Sequence, residues 1–216
     1  MRRLRADDRR RQLLDVACTV FAHGGFHTTS MDDVATAAGV TKPVLYQHFP
    51  SKRALYLELL EAVGVQLLES LGAATTSAHT GRERVERGFE AYFGFVTRNR
   101  AAFRLLFGAS VRNDSEFSQV ADRVLDDAAE LVSGLIEIEG PPEHRRVLAH
   151  ALVGLAEAAS RHALSATDPF GGPEDSEPLA EVIDPQVLAR WVSELAWFGL
   201  RGVRAEEPAR VARPVI

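Results

Sequence analysis

Apolar positions recur at three- and four-residue spacing along almost the whole chain, and the period-two alternation of a half-buried strand is nearly absent. An all-α protein is expected. Leu13, Leu14, Ala17, Cys18, Val20 and Phe21 form the stripe of a first helix over about 7–23, closed by Gly24 and Gly25. Thr28, Thr29 and Ser30 then offer side-chain oxygens for a helix start. Asp32 and Asp33 follow in the first turn, where the helix dipole favours carboxylates. This second, short helix stops at Gly39, a residue free to take positive φ in a tight turn. Thr41 heads a third short helix with Pro43 in its first turn, where a missing N–H costs little, and Phe49-Pro50 ends it. Ser51 heads a fourth, carrying Leu55, Leu59, Leu60, Val63, Leu67, Leu68 and Leu71.

A small polar stretch, Thr75 to Thr80, precedes five further helices expected over 82–98, 100–109, 115–138, 142–166 and 185–203. Asn113, Gly140-Pro141-Pro142 and Asp184-Pro185 punctuate them. Residues 167–183 hold Pro169, Gly171, Gly172, Pro173, Pro178 and five acids, and read as a mobile loop. No internal repeat is present.

Two short helices joined by a turn at Gly39, behind a longer supporting helix, make a helix-turn-helix. In such units the second helix enters the major groove of DNA. Its spacing turns Leu45 and Phe49 inward, against Val34, Ala35 and Ala38, and turns Lys42, Pro43, Tyr46 and Gln47 outward. Charge sharpens this picture. The formal net charge is −5, but residues 1–60 hold nine Lys/Arg against six Asp/Glu, and the remainder sixteen against twenty-four. A basic head on an acidic body suits a head that meets a polyanion.

Composition removes other classes. Apolar residues make up 46% and charged residues 25%, as in an ordinary globular protein. The basic N-terminus runs straight into Asp7 and Asp8, so no signal peptide is expected. Glu157 interrupts the most apolar run, so no membrane helix is expected, and the cytoplasm is the expected location. The single Cys18 precludes an intramolecular disulfide and lies on an apolar stripe as a packed thiol. No nucleophile–base pattern or metal-ligand spacing is found, so neither an enzyme nor a cofactor is expected.

Gly25-Phe26-His27-Thr28-Thr29-Ser30-Met31-Asp32-Asp33-Val34-Ala35, then Ala38-Gly39-Val40-Thr41-Lys42 and Leu45-Tyr46-Gln47-His48-Phe49-Pro50-Ser51-Lys52, closely resembles the signature of the TetR family of transcriptional regulators. The match covers about residues 9–57. It implies a helix-turn-helix DNA-binding domain at 1–56 and a helical ligand-binding and dimerisation domain at 57–216. It also implies a homodimer on a roughly palindromic double-stranded DNA operator, and release when a small effector binds the body. Pro43-Val44 stands where family members often carry small or hydroxylated residues.

Roles follow for the head. Lys42 has reach to a base edge or a phosphate. Tyr46, His48 and Lys52, with the hydroxyls of Thr29 and Thr41, are candidate phosphate donors; Pro43 lies on the same exposed face. Gln47 can pair bidentately with adenine, and Val44 can touch a thymine methyl. Arg2, Arg3 and Arg5 form either a minor-groove arm or a solvated tail. In the body, the resemblance places an apolar or aromatic effector among Phe89, Phe93, Phe103, Phe107, Val124, Leu131 and Leu155, with His150, Glu157 and His162 as candidate polar anchors. Ala151, Gly154 and Ala158 keep one helix face small, and Trp191, Leu195 and Phe198 present a broad apolar one. Together they are the expected dimer interface, built as a four-helix bundle. The alternative is an all-helical partner-binding module whose helix-turn-helix reads no DNA.

Overall fold

The computed structural model describes residues 6–165 and 183–202, so Arg2, Arg3, Arg5 and nearly all of the acidic loop lie outside the described residues. Ten helices and no strand occur among those described: α1 (Ala6–Thr28), α2 (Met31–Ala37), α3 (Lys42–His48), α4 (Lys52–Thr76), α5 (Gly81–Arg98), α6 (Arg100–Phe107), α7 (Ala109–Arg112), α8 (Ser115–Leu135), α9 (Pro142–Ser165) and α10 (Pro185–Gly202). The all-α expectation holds.

Helix α8 ends at Leu135, three residues short of the expected 138, and three further boundaries differ for local reasons. Helical hydrogen bonding resumes after the Gly24-Gly25 stop, across a kink at Gly25 (φ 73°, ψ 168°), a backbone region that glycine enters without a Cβ penalty. Helix α4 runs into the polar stretch, where the Thr75 and Thr76 hydroxyls find acceptors within the helix, the carbonyls of Leu71 (2.9 Å) and Gly72 (2.7 Å). The segment at 100–109 breaks at Gly108, whose extended backbone separates α6 from α7.

The chain forms two compact units. The first comprises Met1–Glu69 and Phe95–Val124, the second Ser70–Gly94 and Leu125–Ile216. In the core of the first, Phe21 and Phe26 of α1 meet Tyr56 of α4 edge-on at 5.1 and 5.0 Å, and Phe117 of α8 lies 4.8 Å from Phe26 and 4.6 Å from Tyr56. Such aromatic contacts bury large area in fixed geometry. Helix α6 packs along α1, with Phe103, Leu105 and Leu106 buried.

The second unit is lined more sparely. Phe89 and Phe93 of α5 stack at 6.1 Å, and Tyr92 meets Phe93 edge-on at 5.3 Å. Helices α9 and α10 pack on each other. Their buried residues are mostly small: Ala149, Ala156 and Ser160 on α9, and Ala189, Val192, Ser193 and Ala196 on α10. Small side chains let two helix backbones approach closely.

Candidate nucleic-acid interface

Helix α2 starts on a reciprocal cap. Asp33 N–H donates to Ser30 Oγ (3.2 Å), and Ser30 N–H donates to Asp33 Oδ2 (2.8 Å). The Ser30 N–H bond, and with it the Ser30 hydroxyl donating to the same Oδ2 (2.7 Å), hold the Asp33 carboxyl below its ordinary range. At the other end Gly39 takes φ +64°, and Val40 N–H returns to the Ala35 carbonyl (3.0 Å). Space for a side chain exists there, with nothing within 4 Å of an added Cβ. The requirement is therefore one of backbone conformation, and the turn it permits sets the direction of α3.

Helix α3 is two turns long and divided in the manner its spacing predicts. Leu45 and Phe49 are fully buried, and Val34 and Ala35 of α2 are buried with them. Thr41, Lys42, Pro43, Tyr46 and Gln47 are exposed; Val44 and His48 are half-buried. Thr41 occupies the N-cap position with extended backbone, but its hydroxyl makes no cap bond. Lys42 Nζ sits 2.7 Å from Asp32 Oδ2, and that bond raises its pKa. Both groups are exposed, so the pair is weak and the ammonium can exchange one anionic partner for another.

Two expected phosphate donors are used inside the protein instead. Thr29 is only 5% exposed. Its hydroxyl packs against Gly24, where an added Cβ would come within 2.6 Å of it. Lys52 Nζ donates to the carbonyls of Phe26 (2.7 Å) and Thr29 (2.9 Å), and stands 4.5 Å from the centre of the Phe26 ring. Carbonyls beyond a helix end lack partners and carry partial negative charge, and an ammonium satisfies both conditions. Lys52 therefore seals the end of α1. Ser51 does cap α4, accepting from Ala54 N–H (3.0 Å).

Two arginines that enter the sequence pattern only as charge are structural ties. Arg10 donates to both Glu58 oxygens (2.6 and 2.5 Å) and to the His48 carbonyl (2.6 Å), with its guanidinium 4.6 Å from the Phe49 ring centre. Arg53 donates twice to Asp114 (3.2 and 2.7 Å) and once to Glu116 (2.7 Å), over the Phe117 ring at 4.7 Å. Arg53 draws the Asp114 carboxyl down to about 2. No local signal singles out Arg10 from its neighbours Arg9 and Arg11, because its partners lie 38 and 48 residues away. Cys18 is half-buried, and burial first, then Asp15, pushes its thiol up to about 11, which keeps it protonated and unreactive.

The candidate effector residues divide between the units. Phe89, Phe93, Leu131 and Leu155 belong to the second; Phe103, Phe107 and Val124 belong to the first, where Phe103 and Phe107 pack against each other at 4.7 Å. His150 and His162 are exposed, and Glu157 is half-buried and bonded to Arg161. The Tyr92 and Ser160 hydroxyls are buried; burial raises the Tyr92 pKa, and a hydrogen bond with Ser160 opposes that rise. The candidate dimer residues do come to the surface together along their helices. Trp191, Leu195 and Phe198 are 54%, 63% and 65% exposed, and Ala151, Gly154 and Ala158 are exposed along α9 with Val147. Among the described residues no helix is long and apolar enough to cross a membrane, and no group of three or more His, Cys, Asp or Glu is placed to hold a metal ion.

Known proteins share these features. Residues 13–59 match the model of bacterial regulatory proteins of the tetR family, and residues 81–199 match that of the tetracyclin repressor-like C-terminal domain. The chain is 32% identical over 203 residues to the HTH-type transcriptional activator FasR of Mycolicibacterium smegmatis, covering 93% of this chain and 87% of that protein. It is 29% identical over 194 residues to the HTH-type transcriptional regulator EthR of Mycobacterium tuberculosis, covering 88% of each. A crystal structure of a TetR-like transcriptional regulator from Rhodococcus sp. RHA1 superposes with TM-score 0.69 at 30% identity, covering 93% of this chain and all of that one.

Proposed function

This chain belongs to the TetR family of transcriptional regulators, and from that premise we propose that it is a homodimeric, sequence-specific repressor released from a palindromic operator by a small effector. The observation that carries the reading is the exposed face of α3. Thr41, Lys42, Pro43, Tyr46 and Gln47 stand clear of the protein while Leu45 and Phe49 anchor the helix from beneath. Gln47 and Val44 read base edges, each contact worth about 1–3 kcal/mol of discrimination. Lys42, Tyr46, His48 and the free Thr41 hydroxyl hold the strands. Thr29 and Lys52 contribute indirectly, by fixing the chain between α1 and α2.

The partner subunit docks on Trp191, Leu195 and Phe198 of α10 and on the small face of α9 at Ala151, Gly154 and Ala158. Exposed apolar patches of this kind mark protein contacts, and a two-fold dimer sets its heads about 34–36 Å apart, one DNA turn. The effector is an apolar or aromatic molecule held in the second unit by Phe89, Phe93, Leu131 and Leu155. It acts by preferring the conformation in which the heads no longer match successive grooves, and shifts the population by that difference in affinity alone.

Selection of bound duplexes from a randomised pool tests the reading. A half-site repeated with two-fold symmetry is the expected result, with affinity falling steeply as salt rises. Failure to enrich any sequence, even at low salt, would remove the function proposed for α3. One observation favours a second output: FasR is an activator, so transcription from the selected site, measured with and without the protein, separates repression from activation.

A further inference from the structure

Helix α3 has seven residues, too few to hold its own direction. Its attitude is set by what grips its ends. The grip at the C-terminal end comes from one side chain of α1. Arg10 Nη1 donates to the carbonyl of His48, the last residue of α3, and its guanidinium covers the ring of Phe49, the C-cap. Nε and Nη2 donate to the two oxygens of Glu58, in the second turn of α4. One planar group from α1 thus ties α3 to α4 at the C-terminal end of the recognition helix.

Resting on the reading that α3 contacts base edges, we propose that Arg10 and Glu58 are positioning residues: a bracket that holds the angle of α3 between α1 and α4, with the charge of Arg10 committed inside the protein and not to a phosphate. The chemistry fits an arginine and no other side chain. A guanidinium presents its N–H groups in a fixed fork, so it can satisfy a carboxylate bidentately and still donate sideways to a carbonyl. A lysine is a single mobile charge and can fill only one of these places. The carbonyl it meets is one of those left unpaired at a helix C-terminus, the negative end of the dipole, so the cation is favoured there on two counts. Glu58 aims the fork, and its negative charge is tolerated near a DNA-facing surface because Arg10 neutralises it. Both side chains remain partly exposed, at 40% and 32%. Breaking the pair should therefore cost the fold little. It should cost base readout more, because bidentate contacts fail when the reading side chains shift by about 1 Å.

The test uses the full-length protein, one duplex selected by it from a randomised pool and a scrambled duplex of equal length. Affinities are measured across a salt series for the wild type, Glu58→Gln, Arg10→Lys and Arg10→Ala. The bracket predicts that Glu58→Gln and Arg10→Lys each weaken binding to the selected duplex by about three- to tenfold. Binding to the scrambled duplex, the salt slope and the melting temperature should stay near wild type. The effects should be strongly non-additive in the Arg10→Lys/Glu58→Gln double variant. A phosphate-binding Arg10 gives the opposite pattern: Glu58→Gln tightens or preserves binding to both duplexes, and Arg10→Ala weakens both alike while lowering the salt slope by about one. That result overturns the proposal. Because Glu58→Gln is isosteric, it decides the matter even if Arg10→Ala folds poorly. A wild type that binds selected and scrambled duplexes equally would instead refute the reading of α3 on which the bracket rests.

Discussion

Helices α3 and α10 both bury one face and expose another, and the contrast between their exposed faces is instructive. Beneath α3 lie Leu45 and Phe49, fully buried; above it stand a lysine, a glutamine, a tyrosine and a threonine. Beneath α10 lie Ala189, Val192, Ser193 and Ala196; above it stand Trp191, Leu195 and Phe198. A polar, cationic face loses little by staying in water and gains when it meets a polyanion whose counterions it can displace. An apolar face of large side chains gains only when another surface removes it from water, at about 25 cal/mol per Å². Exposure alone does not name a partner; the chemistry of what is exposed does. The two helices thus point to different partners, one to nucleic acid and one to protein.

Four changes would sharpen or break that contrast. The largest effect belongs to the buried side of α3. Phe49→Ala should destabilise the protein by about 3–5 kcal/mol, the cost of emptying an aromatic site in a packed core, read as a shift of the urea midpoint. A change under 1 kcal/mol would mean that α3 is not anchored as described. Next, Leu195→Glu with Phe198→Glu should weaken self-association by about 2–4 kcal/mol while leaving helical content intact. Sedimentation at several concentrations checks this, and an unaltered mass distribution would remove α10 from any interface. Third, Gln47→Ala should relax preference at one base-pair position, by about 1–3 kcal/mol. Lys42→Ala should instead weaken binding to all duplexes alike and reduce the salt slope by about one. An identical response from both variants would erase the division of labour along α3.

The smallest effect is electrostatic and lies behind the head. Arg53 holds the Asp114 carboxyl at about 2, below its ordinary 3.8. A carboxyl whose folded value lies below its unfolded one adds stability above the unfolded value, and loses it as pH falls through the folded one. Wild-type stability should therefore decline between about pH 4 and pH 2, and Arg53→Met should show a shallower decline over that window. Thermal melts across the pH series report it; parallel curves would show that the Arg53–Asp114 pair is not what shifts the carboxyl.

Most of the first four helices was legible before any coordinates, because their boundaries are local chemistry. A capping serine at Ser30, a positive-φ glycine at Gly39 and a four-residue spacing between Leu45 and Phe49 act over one or two turns. The orientation of other groups at the same site is equally physical but not local. Thr29 and Lys52 carry the right groups for a phosphate, but which way a hydroxyl or ammonium turns depends on what the rest of the chain leaves unsatisfied. Here a packed glycine and two orphan carbonyls claimed them. Arg10 was invisible as an individual for the same reason, since Glu58 is distant in sequence and adjacent in space. Helix α10 shows a further limit: Val192 and Ala196 are as apolar in sequence as Trp191, Leu195 and Phe198, and only packing against α9 separates the inner set from the outer.

What the chain determined by itself is therefore the helical class, the helix-turn-helix, the inward and outward faces of α3 and the family, because periodicity, caps and turn glycines are short-range and need no partner. What the tertiary structure alone decided is which polar groups remain available: Lys42 and Gln47 at the surface, Lys52, Arg10 and Arg53 engaged within, and the Tyr92 and Ser160 hydroxyls buried. Availability is a competition among all donors and acceptors that folding brings together, and residue order along the chain does not contain its outcome in readable form.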